Sequence, residues 1–174
     1  AITNIAAANI GPIGKVKLSA NWMCACGEDA EDAALYDTVR AVGMEFCPDL
    51  GISIPVGKDS LSMRTRWQDS AGEDQEVVAP LSLVISAFES GTDVRRPLTP
   101  KPEHSHDTLL VLIDLGHGAK RLGASCLEQV YGQIGDVAPD ITAGDLAGLF
   151  SSIQELNQTD RLLAYHDRSD GGLL

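Results

Sequence analysis

Apolar and polar positions along this chain recur with two different periods, and the switches between them mark its elements. The Ala-rich stretch AITNIAAAN at 1–9 predicts a short helix, ended by Gly11 and Pro12. KVKLSANWM (15–23) alternates as a strand does. From 28 to 46 the period lengthens. Leu35, Val39, Val42 and Phe46 fall at i, i+4, i+7 and i+11, one face of an amphipathic helix. Its acidic first turn suits the helix dipole, and Pro48 is expected to mark its exit.

GISIPVGKDSLSMRTRW (51–67) predicts a short β-branched strand, a glycine turn and a second strand, followed by a polar hairpin connection, QDSAGEDQ. EVVAPLSLVISAFES (76–90) is apolar enough for a central strand, with Pro80 limiting its pairing at one point. GTDVRRPLTPKPEHSHD (91–107) has three prolines and no periodicity, so it is expected to be a linker. The pattern then restarts. Strand TLLVLIDL, helix GAKRLGASCLEQVYGQ, helix DLAGLFSSIQELNQ with Leu146, Leu149, Ile153 and Leu156 in register, and strand RLLAYHD follow in turn. The reading is two α+β pieces: residues 1–95, a linker at 96–106, and 107–174 as the start of an α/β unit. AITNIAAANIG starts as a helix already under way, and AYHDRSDGGLL stops where a helix should begin. The expectation is an internal piece of a longer protein.

Charge narrows the function classes. With 25 acidic against 13 basic residues, a formal net of −12, the chain repels nucleic acid and anionic lipid at long range, so neither is an expected partner. The four cysteines, Cys24, Cys26, Cys47 and Cys126, form no small disulfide framework, and CAC at 24–26 has no second pair at finger-like spacing. They read as reduced thiols packed in or beside a strand. His104 and His106, in the Pro-rich connection, read as solvated. No signal peptide or bilayer-length apolar run is present, and a cytoplasmic location is expected.

Three stretches carry candidate chemistry. In VGKDSLSM (56–63), Gly57 admits close backbone approach, Lys58 is a compact cation suited to phosphate, and Ser60 offers a hydroxyl. The same residues also fit a polar β-turn with a surface ion pair, since the frame of a phosphate-binding P-loop is missing. In YHDRSDGG (165–172), Asp167 and Asp170 flank Ser169 ahead of Gly171 and Gly172. Carboxylates of this kind hold Mg²⁺ together with substrate phosphates, and Ser169 or Asp170 equally fits a helix N-cap. In AITNIAAAN, Asn4 or Asn9 facing inward needs a partner, and an amide oxygen could complete a Mg²⁺ shell.

Taken together and in this order, AITNIAAANIGPI, LSANWM, PVGKDSLSMRTRW and YHDRSDGGL resemble the large, single-chain bacterial form of phosphoribosylformylglycinamidine (FGAM) synthase. The resemblance implies an aminoimidazole-ribonucleotide-synthetase-like α+β fold. The chain would span the end of an N-terminal half in the second copy and the start of the following α/β half. It implies an ATP-dependent ligase that makes FGAM from formylglycinamide ribonucleotide and glutamine-derived ammonia, with ATP or ADP and Mg²⁺ as cofactors. The remaining domains of the same polypeptide are the implied partners, and the isolated piece is expected to be inactive. Carried over residue by residue, Asn4 and Asp167 match Mg²⁺ ligands and Ser169 a nucleotide contact of an auxiliary site. Gly57 would lie near ATP and Ser60 near the ribonucleotide substrate in the catalytic site. Lys58 stands where relatives of the small form carry a metal-ligating Asn; a protonated lysine cannot ligate Mg²⁺, so charge neutralisation at a phosphate is its expected role. A non-catalytic nucleotide- or Mg²⁺-binding regulatory domain of the same fold is the competing reading.

Overall fold

The computed structural model describes residues 1–28, 30–102, 107–133, 135 and 137–169. His104, His106, Asp170, Gly171 and Gly172, considered above, lie outside them. Helix α1 (Ile2–Ile5) is a single turn. Strand β1 (Lys17–Met23) follows a short 3₁₀ turn at Ile13–Lys15. Helix α2 (Glu31–Arg40) continues through π-helical turns at Ala41–Phe46 into α3 (Cys47–Leu50). Strands β2 (Ser53–Ser60), β3 (Arg64–Gln68), β4 (Asp74–Val78) and β5 (Ser82–Phe88) come next, then helices α4 (Cys126–Tyr131) and α5 (Ala143–Gln158).

The main sheet has the order β2-β1-β5. β1 pairs antiparallel with β5, from Lys17 opposite Phe88 to Met23 opposite Ser82. It pairs parallel with β2, from Ser19 opposite Val56 to Met23 opposite Ser60. Parallel neighbours need a long crossover, and the α2–α3 helix supplies it. β3 and β4 form a separate two-stranded hairpin. This mixture of helices and sheets is an α+β fold.

Several elements depart from expectation, each for a physical reason. The crossover helix does not end before Pro48. That residue stands near the start of α3, directly after the π-helical turns, whose altered hydrogen-bond spacing carries the helix past the proline. The exit is Gly51, at φ +67°, with Gly51 N bonded to Pro48 O at 2.9 Å and Ile52 N to Cys47 O at 3.0 Å, a Schellman-type close. The glycine turn expected at Gly57 is absent, because β2 runs straight through it, opposite Ala20. Pro80 splits the long apolar run, leaving β4 in the hairpin and β5 in the main sheet. TLLVLIDL and RLLAYHD form no strand: neither finds a ladder partner among the described residues, and Leu109, Leu110, Val111 and Leu112 are exposed. The helix expected over 118–133 shrinks to α4, which starts where the Ser125 side chain accepts from Glu128 N.

One core joins residues from both ends of the chain. Ile2, Ala6, Ile10, Val16, Leu18, Cys47, Leu50 and Ile52 pack with Leu146, Phe150 and Ile153 of α5. The buried face of α5 is Leu146, Phe150, Ile153, Gln154 and Asn157, rotated from the leucine stripe that the spacing predicts. The rotation follows from what α5 covers. Beyond Ile5 the chain leaves the helix and must find partners for its backbone groups. The Gln154 side chain supplies them: its Oε1 accepts from Ile10 N (3.0 Å) and Gly11 N (3.1 Å), and its Nε2 donates to Ala6 O (2.9 Å) and Ala8 O (2.8 Å).

The Pro-rich connection is tied down at both sides. Leu98 N donates to Ala7 O (2.8 Å) and Thr92 N to Asn9 O (3.0 Å). Arg96 Nη2 reaches Asn157 O (2.9 Å), in the last turn of α5, and the Asp160 carboxylate (2.5 Å). Among the described residues no helix is long and apolar enough to cross a membrane.

Candidate functional site

The residues singled out from the sequence fall in two groups. The first is assembled from the two ends of the chain. The single turn of α1 presents Thr3 and Asn4, and the segment beyond α5 presents Tyr165, Asp167 and Ser169. Asn4 Nδ2 donates to Asp167 Oδ1 at 3.2 Å, across 163 positions of sequence. Thr3 Oγ1 donates to the other carboxylate oxygen at 3.3 Å, and Ser169 Oγ lies 3.3 Å from Asp167 Oδ1. An ionised carboxylate only accepts, so three donors converging on it form a consistent set. Asn4, Asp167 and Ser169 are therefore neighbours.

Tyr165 fixes this arrangement from behind. Its hydroxyl donates to Thr3 O at 2.8 Å, and its backbone N donates to Thr99 O at 3.0 Å. Burial, with the Asp167 charge added, pushes the phenol up to about 12. A tyrosine whose folded-state pKa is raised stabilises the fold fully below its unfolded value, 10.0 here, and loses that contribution as pH rises through about 12. Stability should therefore fall across that alkaline window. Phenolate absorbance followed against pH should show a tyrosine ionising only as pH nears about 12, and Tyr165→Phe should abolish that late phase.

Asp114 accepts from Gly116 N (2.9 Å) and Gly118 N (3.0 Å). These bonds, helped by the Arg168 and His117 charges, hold its carboxyl below the usual range. Asp145, in the first turn of α5, accepts from Thr142 Oγ1 (2.8 Å) and meets His117 Nε2 at 3.1 Å, and is lowered by both.

The second group lies along β2. Lys58 Nζ donates to Ser60 Oγ at 2.8 Å and approaches Asp59 O at 3.5 Å. Lys58 and Gly57 are exposed and Ser60 is half-buried. Gly57 has its own structural reason to be glycine: a Cβ there would stand 2.5 Å from Ala20 O. Opposite Lys58 on β1 is Asn21, whose side chain shares the sheet face. Its Oδ1 is buried and, among the described residues, meets no donor.

Sequence reasoning assigned no part to Thr3, Tyr165, Asn21 or Gln154. Asn21 carried a usable signal, since Asn is disfavoured in strands and a buried one needs partners. Thr3 carried none beyond adjacency to Asn4.

As a donor set, the first group offers one carboxylate, the amide oxygen of Asn4 and two hydroxyls. These are hard oxygens of the kind Mg²⁺ takes, in a number that leaves phosphates and water to complete the shell. The residues fit part of a Mg²⁺–phosphate site. Among the described residues, no group of three or more His, Cys, Asp or Glu could hold a metal ion by itself.

Residues 1–90 match the family model of the FGAR-AT PurM_N-like domain, which takes in α1, all of the main sheet and the hairpin. The chain belongs to that family. This membership makes residues 1–90 a domain of a purine-biosynthesis ligase type. β5 ends at Phe88, so the matched stretch closes with the last strand of the main sheet. Asn4, Gly57, Lys58 and Ser60 lie inside the FGAR-AT PurM_N-like stretch, and Asp167 and Ser169 lie beyond it.

Proposed function

We propose that the chain is a segment of a large, single-chain FGAM synthase acting in the cytoplasm. That enzyme would be an ATP-dependent ligase converting formylglycinamide ribonucleotide and glutamine-derived ammonia to FGAM. Residues 1–95 would end the N-terminal-type half of an aminoimidazole-ribonucleotide-synthetase-like copy. Residues 96–106 would link it to the α/β half begun by 107–174, and the active site would need the remaining domains of the polypeptide. The observation that carries the reading is the Asn4–Asp167 hydrogen bond. It joins the family-matched segment to the far end of the chain at the two residues whose side chains suit a hard cation. The family match over residues 1–90 supports the same reading.

In this proposal Asn4 and Asp167 hold Mg²⁺ and Ser169 contacts the nucleotide of an auxiliary site, with Thr3 and Tyr165 keeping the Asp167 carboxylate in place. Mg²⁺ held there would neutralise the charge of a nucleotide's phosphates. Gly57, Lys58 and Ser60 line the catalytic site along β2, next to ATP and the ribonucleotide. The Lys58 ammonium places a point charge toward a phosphate, and its bond to Ser60 Oγ fixes where that charge sits.

The two groups predict different phenotypes in the full-length enzyme. Asp167→Asn should abolish most of the rise in melting temperature produced by ADP with Mg²⁺, because a ligand held only by the native state stabilises it by mass action. Lys58→Ala should cut turnover by at least tenfold while leaving that rise intact. Differential scanning fluorimetry with and without Mg²⁺–ADP, beside steady-state rates, checks both. The reverse pattern would sink the division of roles. Tight Mg²⁺–ADP binding by the 174-residue chain alone would favour the regulatory-domain reading instead.

A further inference from the structure

The main sheet holds one polar atom that the fold leaves unanswered. β1 is its middle strand, and Leu18 and Ala20 are buried on one face. Residues two apart in a strand share a face, so Ser19, Asn21 and Met23 stand on the other. Asn21 lies opposite Lys58 on β2 and opposite Val84 on β5, both exposed, and Ser60 is the next residue after Lys58 on the same face. Although this face is open, Asn21 Oδ1 is shut off from solvent and accepts no hydrogen bond. Among the described residues it is the one buried side-chain oxygen or nitrogen so placed. Leaving an amide oxygen in that state is unfavourable, and a donor that arrives only in the working state is one reason to keep it. The side-chain cation directly across the ladder is Lys58. Its ammonium has three protons to give. One goes to Ser60 Oγ at 2.8 Å, while the approach to Asp59 O, at 3.5 Å, is at the limit of a hydrogen bond. Lys58 thus has one firm anchor and protons to spare, and Asn21 has an acceptor to spare.

We propose that Asn21 is a positioning residue for Lys58. When a phosphate oxygen binds at Lys58, the ammonium exchanges its loose contact with Asp59 O for Asn21 Oδ1 and keeps Ser60 Oγ. Two anchors on adjacent strands then fix the cation, and its third proton is directed at the phosphate oxygen. This deepens the catalytic-site reading above and rests on it. A lysine on one anchor still swings on a flexible four-carbon stem, whereas one held at two points is preorganised for the charge that develops on the phosphate. Asparagine suits the task because its neutral oxygen orients the ammonium without cancelling its charge, as a carboxylate here would. The ligand-free chain bears the cost as an unpaired oxygen, a local instability kept for function.

The test uses the full-length enzyme. A crystal structure with Mg²⁺ and a non-hydrolysable ATP analogue should place Lys58 Nζ within about 3.2 Å of both Asn21 Oδ1 and Ser60 Oγ. Lys58 on the phosphate with Asn21 Oδ1 still bare would overturn the proposal. In steady-state kinetics Asn21→Leu should lower kcat about fivefold, the worth of one hydrogen bond. KM for ATP and for the ribonucleotide should stay within about twofold of the parent. Because Asn21 acts through Lys58, the same change in a Lys58→Ala background should cost nothing more. Full kcat in Asn21→Leu, or a loss that adds in full to that of Lys58→Ala, also overturns the proposal, since a merely structural residue would give additive losses. Should Asn21→Leu fail to fold, the liganded structure of the parent decides alone. A parent that binds the analogue but forms no FGAM sinks the ligase reading and leaves the Lys58–Asn21 distance to decide this one.

Discussion

Gln154→Leu should destabilise the chain by about 3–5 kcal/mol, read from urea unfolding monitored by circular dichroism. Leucine nearly fills the same space, so the loss is not one of volume. Glutamine at this position is 4% exposed and answers four backbone groups: the N–H of Ile10 and Gly11, and the carbonyls of Ala6 and Ala8. An apolar replacement strands all four. Each buried, unsatisfied group costs about 1–3 kcal/mol, and those of Ile10 and Ala6 are the more deeply enclosed. Gln154→Glu separates the two halves of the effect. A carboxylate still accepts from the two N–H groups but faces the two carbonyls with negative charge. That variant should recover stability at acid pH, where the protonated acid regains a donor. If Gln154→Leu lost less than about 1 kcal/mol, water would have to reach these groups, and the segment after α1 would not be buried as described.

Gly57→Ala should cost about 2–3 kcal/mol, an effect set by one methyl group against one carbonyl. At 2.5 Å from Ala20 O, the added Cβ cannot be accommodated by rotating a side chain, because both partners are backbone. β2 must move away from β1, and the ladder from Ser19 opposite Val56 to Met23 opposite Ser60 opens with it. Lys58 and Ser60 are the next residues along, so the same change should displace the candidate phosphate-facing pair. Lys58→Ala offers the contrast. Its side chain is exposed, and its loss should leave stability within about 0.5 kcal/mol of the parent. Equal stability of the two variants would show that β2 can yield at Gly57 without loss.

The elements legible in the sequence were those whose period had a local cause. β1, the crossover helix, the hairpin and α5 all lie where alternation or 3.6-residue spacing puts them. Turn chemistry misled at Gly57 because a glycine needed for close strand approach looks, in sequence, like one needed for a turn. Pro48 misled in the same way: a proline that opens one helical segment resembles one that ends another. TLLVLIDL has a strand's composition, but a strand is a pairing, and the partner is not written in the segment itself. Of the candidate site, the residue types were legible and their meeting was not. Nothing local to Asn4 or Asp167 announces the hydrogen bond between them. The leucine stripe of α5 concealed the polar residue that matters most there, since Gln154 faces inward to serve a backbone far away in sequence.

The reach of α5 bears on anyone who would excise the family-matched stretch as a free-standing module. Residues 1–90 supply the sheet and one wall of the hydrophobic interior, and the opposite wall is Leu146, Phe150 and Ile153. Cut off at residue 90, the piece would present Ile2, Ala6 and Ile10 to solvent as a sticky surface. Its expression would then be limited by self-association more than by any defect in the sheet, and a workable boundary lies past Gln158.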